Sequence, residues 1–395
     1  MSPSKSLLLT LLALAGLLLL TLCTSSTRPD NPPHNPSDTL HTQPTIRPAR
    51  LLFAGDMMQH GPQIRAALIP DSTRYDYSTY FQHLNAPSLY ADLAICNLEV
   101  TLAGTPYSGY PTFSAPDDYL TAIANAGYDV FLTANNHCLD RGNKGLERTI
   151  AHLRDTHLTQ LGTYEDSLDR ALRYPDTLNV NGQKIVLLNY TYGTNGLKPS
   201  SGNIVNYIDT TIIAADILKA QSLKPHFIIA CIHWGVENVF TPNASQKSLA
   251  KWLISHGVDH VIGAHPHVVQ PAEVISTPDG HRHIVIYSLG NVISNMKSKG
   301  NDGGILLGLT LDNANYNLTA DSAWWVAYHV AKPINSGFKN YTAFPSGADS
   351  TIIPPKIATQ FNNSISLTRS VMAKGDSLIE HTCLDWPWTT PSDTH

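Results

Sequence analysis

Charge is scarce in this 395-residue chain: Asp, Glu, Lys and Arg make up 14% of it, against 42% apolar residues. There is no basic run after residue 50, and the formal net charge is −5. Both argue against an electrostatic nucleic-acid binder, and no nucleic-acid patch is expected. The five cysteines never form Cys-x-x-Cys, so neither a zinc ribbon nor a disulfide scaffold is indicated. No internal repeat and no clear second domain can be read. What remains is a globular chain long enough to bury a sizeable core.

Long apolar runs are also lacking, with one exception. Lys5 precedes an almost unbroken apolar stretch from Leu7 to Leu22, the anatomy of an export signal. Three readings are open. The favoured one is a lipoprotein signal ending at Cys23, which would be lipidated; Leu20-Thr21-Leu22-Cys23 carries Leu22 in place of the usual small residue. The second is an uncleaved anchor, since about 17 apolar residues is near the lower limit for spanning a bilayer. The third is cleavage after Ala15. All three place the chain outside the cytoplasm, anchored on the outer side of the cytoplasmic membrane or in the outer membrane. Residues 24–48, rich in Ser, Thr, Pro, Asn and Asp, read as a flexible tether. Residues 49–312 read as one domain, and 313–395 as an extension packed on it.

Within that domain, short apolar runs end again and again in polar motifs. Arg50 to Ala54 leads to Gly55-Asp56-Met57-Met58-Gln59-His60, and Asp92 to Cys96 to Asn97-Leu98-Glu99. Tyr128 to Thr133 leads to Ala134-Asn135-Asn136-His137, and Phe227 to Ile232 to His233-Trp234-Gly235-Val236-Glu237. Val258 to Ile262 leads to Gly263-Ala264-His265-Pro266-His267, and Ile284 to Tyr287 to Ser288-Leu289-Gly290-Asn291. Further strands are expected over Lys184 to Asn189, Gly304 to Leu311 and Ala323 to Val330. Helices are expected from Ser114 or Asp117 as cap, and over Lys144 to Thr156, Ile208 to Ser222, Ala244 to His256 and Ile357 to Ala373. This alternation is an α/β architecture with one active edge.

Asp56, Glu99, Asn136, His137, His233, His265 and His267 all fall at the C-terminal ends of predicted strands, the rim where open α/β sheets bind ligands. Taken singly, each has a plain structural reading: Gly-Asp and Asn-Asn-His are common in turns, and most of the 18 histidines are ordinary. Pro266 is expected to break the strand and hold His265 extended, so that both histidines of the pair face one ion. Together, carboxylate, amide and imidazole donors suit one or two divalent ions such as Mn, Fe, Co or Zn. His60, Asn97 and Asn291 stand as further ligands or as residues supporting the ligands. Cys96, Cys138 and Cys231 read as buried thiols.

The motifs, in this order, resemble the calcineurin-like metallophosphoesterase superfamily, and more closely its CapA branch, the poly-γ-glutamate capsule protein family. The resemblance runs from about Leu51 to Leu311 and implies a metal-bound α/β/β/α sandwich. It implies that Asp56 is the first-motif aspartate, Glu99 the bridging carboxylate and Asn136 the metal-binding asparagine. His137 would protonate a leaving group, and His233, His265 and His267 would be the remaining ligands. Met58 departs from the pattern, standing where the superfamily has histidine; either one metal site is weakened or His60 takes its place. Glu99 also reaches one methylene further than the usual aspartate. Three functional readings follow: a metal-dependent hydrolase of phosphoesters, a protein handling an anionic envelope polymer such as poly-γ-glutamate with the metal binding its carboxylates, or a non-catalytic scaffold that keeps the metal structurally.

Overall fold

The computed structural model describes residues 46–200, 202–313 and 322–388. The expected export segment, Cys23 and nearly all of the tether lie outside the described residues. Among the described residues, no helix is long and apolar enough to cross a membrane.

Two sheets carry the fold. The first has the order Thr342–Pro345, Ala323–Ala331, Gly303–Leu311, Ala49–Met57, Leu93–Leu98, Val130–Leu132, Thr159–Leu161. The last four strands are mutually parallel, and the first three are added antiparallel. The second has the order Val269–Ser276, Arg282–Leu289, His260–Ala264, Phe227–His233, Gln183–Thr191, Thr177–Val180. Its four central strands are parallel. Parallel strands buried on both faces need continuous apolar sequence, and Phe227–His233 is buried at every position.

The two-residue period of a strand sorts its side chains between layers. Leu51 and Phe53 join the core that holds Leu187, Ile229 and Ile286 of the second sheet. Leu52 and Ala54 join a separate core with Tyr119, Leu120 and Ile123 of the helix Asp117–Asn125. The helix Ala244–Ser255 packs on the second sheet. The helix Ala358–Met372 lies against the Ala323–Ala331 strand of one sheet and the Val269–Ser276 strand of the other. The result is two sheets back to back with helices outside.

Element ends differ from expectation in instructive places. Neither Ser114 nor Asp117 caps the helix Asp117–Asn125; Pro116 holds that position and makes no side-chain bond. The strand expected over Val258 to Ile262 runs over His260–Ala264, because Gly257 and Val258 still close the preceding helix with bonds to Ile254 and Leu253.

Candidate metal centre

Asp56 is aimed by a bulge. The pairing of the first two strands shifts register between Ala54 and Asp56, which re-directs a side chain. Gly55 makes the close approach there: a Cβ on it would stand 1.9 Å from the Gly290 carbonyl oxygen. Asp56, Glu99, His233, His265 and His267 are all buried. Their donor atoms form two groups, each compact enough to hold a cation: Asp56, Glu99 and His233, and Glu99, His265 and His267. Glu99 belongs to both. Its Oε1 lies 3.6 Å from His233 Nε2 and 3.7 Å from His267 Nε2.

Asn136 Oδ1 lies 2.7 Å from His233 Nε2, so the asparagine oxygen faces the same centre. Asn97 sits among the ligands, its Nδ2 donating to Asp56 Oδ1 at 2.7 Å and lying 3.3 Å from His233 Nδ1. Asn291 supports His267: its Oδ1 is 3.0 Å from His267 Nδ1, and its Nδ2 donates to the His267 carbonyl. Asn301 donates to that carbonyl at 2.9 Å.

The opening of the His-Pro-His turn differs from expectation. His265 is not held extended; its φ is +98°, and that of His267 is +57°. Positive φ in two non-glycine residues is strained backbone, which persists only where surroundings over-determine it. Here Trp234 donates to the Ala264 carbonyl, Asn238 to that of Pro266, and Asn301 to that of His267.

Electrostatics make the cluster uneasy without a cation. Burial and then the charge of Asp56 hold the Glu99 carboxyl well above the usual range. Burial, then the other histidines, pulls His233 far down and His265 to about 3. For His267 burial also pulls down, but the Asp56 hydrogen bond and charge outweigh it and the net shift is upward. Glu99 Oε1 and His265 Nδ1 are buried with no hydrogen-bond partner. Two orphaned acceptors within a mixed carboxylate, imidazole and amide set fit a borderline divalent ion.

His137 stands in neither group. Its Nδ1 lies 2.8 Å from Asp140 Oδ2, which also accepts from the Phe113 backbone at 2.7 Å. The Phe113 ring packs edge-on to His137, centroids 4.7 Å apart. His60 has a separate setting: its Nδ1 is 3.1 Å from Gln63 Oε1, Asn295 N donates to it, and its ring packs on Phe113. Met58 turns its side chain into the apolar core.

Sequence reasoning assigned no role to Asp140, Tyr192 or Asn195. The Tyr192 ring packs on His265, centroids 4.5 Å apart, and stacks nearly parallel on His233 at 6.3 Å. Asn195 Oδ1 accepts from Asn136 Nδ2 at 3.2 Å, which fixes the amide so that its oxygen faces His233. Both follow the Gln183–Thr191 strand, so the same strand-end rule reaches them.

Comparison with known proteins follows the same line. The chain is 28% identical to a capsule biosynthesis protein CapA of Bacillus anthracis over 257 residues, 62% of this chain and 59% of that protein. It is 30% identical to a PGA biosynthesis protein CapA of Bacillus subtilis over 182 residues, 43% of this chain and 44% of that protein. The matches thus span about half the length of these relatives. Among solved structures it is similar to the NAD nucleotidase of Haemophilus influenzae, with a TM-score of 0.45, 14% identity, and coverage of 85% of this chain and 64% of that one. It is also similar to the calcineurin-like phosphoesterase YfkN of Bacillus subtilis, with a TM-score of 0.38, 13% identity, and coverage of 82% and 100%. A family model described as bacterial capsule synthesis protein PGA_cap matches residues 50–296, well over half of the chain, and the chain belongs to that family.

Proposed function

We propose that this chain is a metal-dependent phosphoester hydrolase, exported and held at the cell envelope by its N-terminal segment. The observation that carries the reading is the position of Glu99, shared by two buried ligand groups beside a histidine that belongs to neither. Asp56, Glu99, His233, His265 and His267 would hold one or two divalent ions, with Asn136 Oδ1 completing the His233 side. When bound, such ions polarise a phosphoryl oxygen and acidify a water.

The chain's own residues then divide the remaining work. Asp140 holds His137 by Nδ1, leaving Nε2 to carry a proton to the leaving oxygen. The Phe113 ring packs on His137 and the Tyr192 ring on His265, which fixes how the two imidazoles sit. Asn195 keeps the Asn136 oxygen inward.

Elemental analysis of the purified chain, with Asp56→Ala as control, tests this reading. About two ions per chain, lost in the control, is the expected result for a paired site. No ion after reconstitution with Mn, Fe, Co or Zn would refute it. A second reading is favoured by the family match: the site handles an anionic envelope polymer such as poly-γ-glutamate, its ions engaging carboxylates. Turnover of phosphoesters separates the two.

A further inference from the structure

A cavity of about 650 Å³ opens beside the candidate metal centre. Tyr192 belongs to both, lining the cavity and packing on His265. Trp234, next to His233 in the chain, forms another part of the wall, and Trp252 a third. The remaining lining comes from Ile208, Thr210, Gly235 and the capped start of the helix Ala244–Ser255. Not one lining residue is charged.

That neutrality is built in. At about 100° per residue, Ser245, Ser248, Leu249 and Trp252 share one flank of their helix, and they line the cavity. Lys247 and Lys251 fall on the opposite flank. A chain bearing a carboxylate on every unit would find no cationic side chain among the lining residues to pair with. By contrast, the hydroxyls of Thr210, Ser245 and Ser248 make no hydrogen bond among the described residues. Aromatic walls with a few unengaged polar groups recognise a compact ring by its faces and its edge.

We infer that this cavity is a subsite for an uncharged, hydroxyl-bearing ring, a neutral sugar unit, carried next to the group that reacts at the metal centre. The placement beside a reactive centre rests on the hydrolase reading; the binding itself does not. A poly-γ-glutamate chain would have to run elsewhere on the surface.

The test is a tryptophan-fluorescence titration of the full chain with maltotriose and with N,N′,N″-triacetylchitotriose. Poly-γ-glutamate serves as competitor, and metal content is measured on the same samples. The expected result is saturable binding of at least one saccharide, unaffected by poly-γ-glutamate. Trp252→Ala should weaken it at least tenfold. Trp252 also stacks on His256, so Ser248→Tyr, at an exposed position, serves as a second variant that fills the cavity; it should weaken binding as much and keep the metal content. His265→Ala should lose metal and still bind the saccharide, which separates this inference from the hydrolase reading. Absence of saccharide binding in a metal-loaded protein would overturn it. So would competition by poly-γ-glutamate, or unchanged binding in both cavity variants.

Discussion

Replacing Gly263 by alanine tests how the histidine turn is held. A Cβ at this position would stand 2.0 Å from the Tyr287 carbonyl oxygen and 2.6 Å from Trp234 Nε1. Those two atoms hydrogen-bond to each other at 2.9 Å, both buried. A Cβ essentially never comes within 3.0 Å of a heavy atom, so the sheet must open between the His260–Ala264 and Arg282–Leu289 strands. Overpacking of this kind costs about 1–3 kcal/mol. Losing the buried indole bond adds about 1–3 kcal/mol, giving a destabilisation of roughly 2–6 kcal/mol. His265 and His267 lie two and four residues on, and ligands tolerate about 0.5 Å of displacement, so metal retention should fall as well. Denaturant unfolding in chelator and in saturating metal is the assay. Gly263→Ala should be weaker than wild type in both, because the clash does not depend on an ion. His265→Ala should be weaker only in metal, because it removes a buried imidazole nitrogen that has no partner without one. If Gly263→Ala stays within about 0.5 kcal/mol of wild type and keeps its metal, the account of the turn is wrong.

Other outcomes follow from the same geometry. His233→Ala and His265→Ala should each lose metal in elemental analysis, and chelator should lower the Tm of wild type by removing a native-state ligand. Asp140→Asn should keep metal while kcat on a phosphoester falls roughly 10–100-fold, with a displaced pH profile, because His137 loses the carboxylate that orients it. Equal activity would remove Asp140 as the residue that orients His137, whereas equal activity in His137→Ala would remove His137 as the acid. His260, away from the site, is held to about 3 by burial and then by His283. Below its ordinary 6.5 the unfolded chain takes up a proton that the folded chain refuses, so stability falls as pH drops from about 6.5 towards 3, by up to roughly 5 kcal/mol. Asp259 is raised to about 6 by burial and works in the opposite sense over part of this range. His260→Asn, which keeps an acceptor for Ile284 N, should therefore flatten acid unfolding relative to wild type.

The active rim was legible in the sequence because buried parallel strands announce themselves as apolar runs, and their ends as abrupt polar motifs. Asp56, Glu99, Asn136, His137, His233, His265 and His267 were all named by that single rule; the structure brings Asp56, Glu99, His233, His265 and His267 into two compact groups with Asn136 against His233, and leaves His137 outside both groups. Strands with mixed burial were not legible. Thr159–Leu161 and Thr177–Val180 are mostly half-buried, with one fully buried residue each, so no apolar run marks them in the sequence. Asp140 and Asn195 escaped for another reason: both act on residues of the site rather than facing the ligand groups, Asp140 on His137 three residues before it and Asn195 on Asn136 across the fold. The sugar-sized cavity is made by a loop, a strand end and a helix flank.

Position 58 shows what the two levels say together. In the sequence, Met58 is a missing ligand and His60 the natural substitute. In the structure, neither supplies a donor to the ligand groups. The Met58 side chain packs in the core while its carbonyl accepts from Gln63 and Tyr119. Gln63 also accepts from the His60 backbone, and its amide oxygen faces the His60 ring, so one glutamine pins both residues in these settings. The two ligand groups retain three donors each, because Glu99 is counted in both. Asn136 Oδ1, 2.7 Å from His233 Nε2, adds an amide donor beside Asp56, Glu99 and His233. The histidine missing at position 58 is therefore not needed to assemble either group, and Glu99, counted in both, is the residue on which both depend.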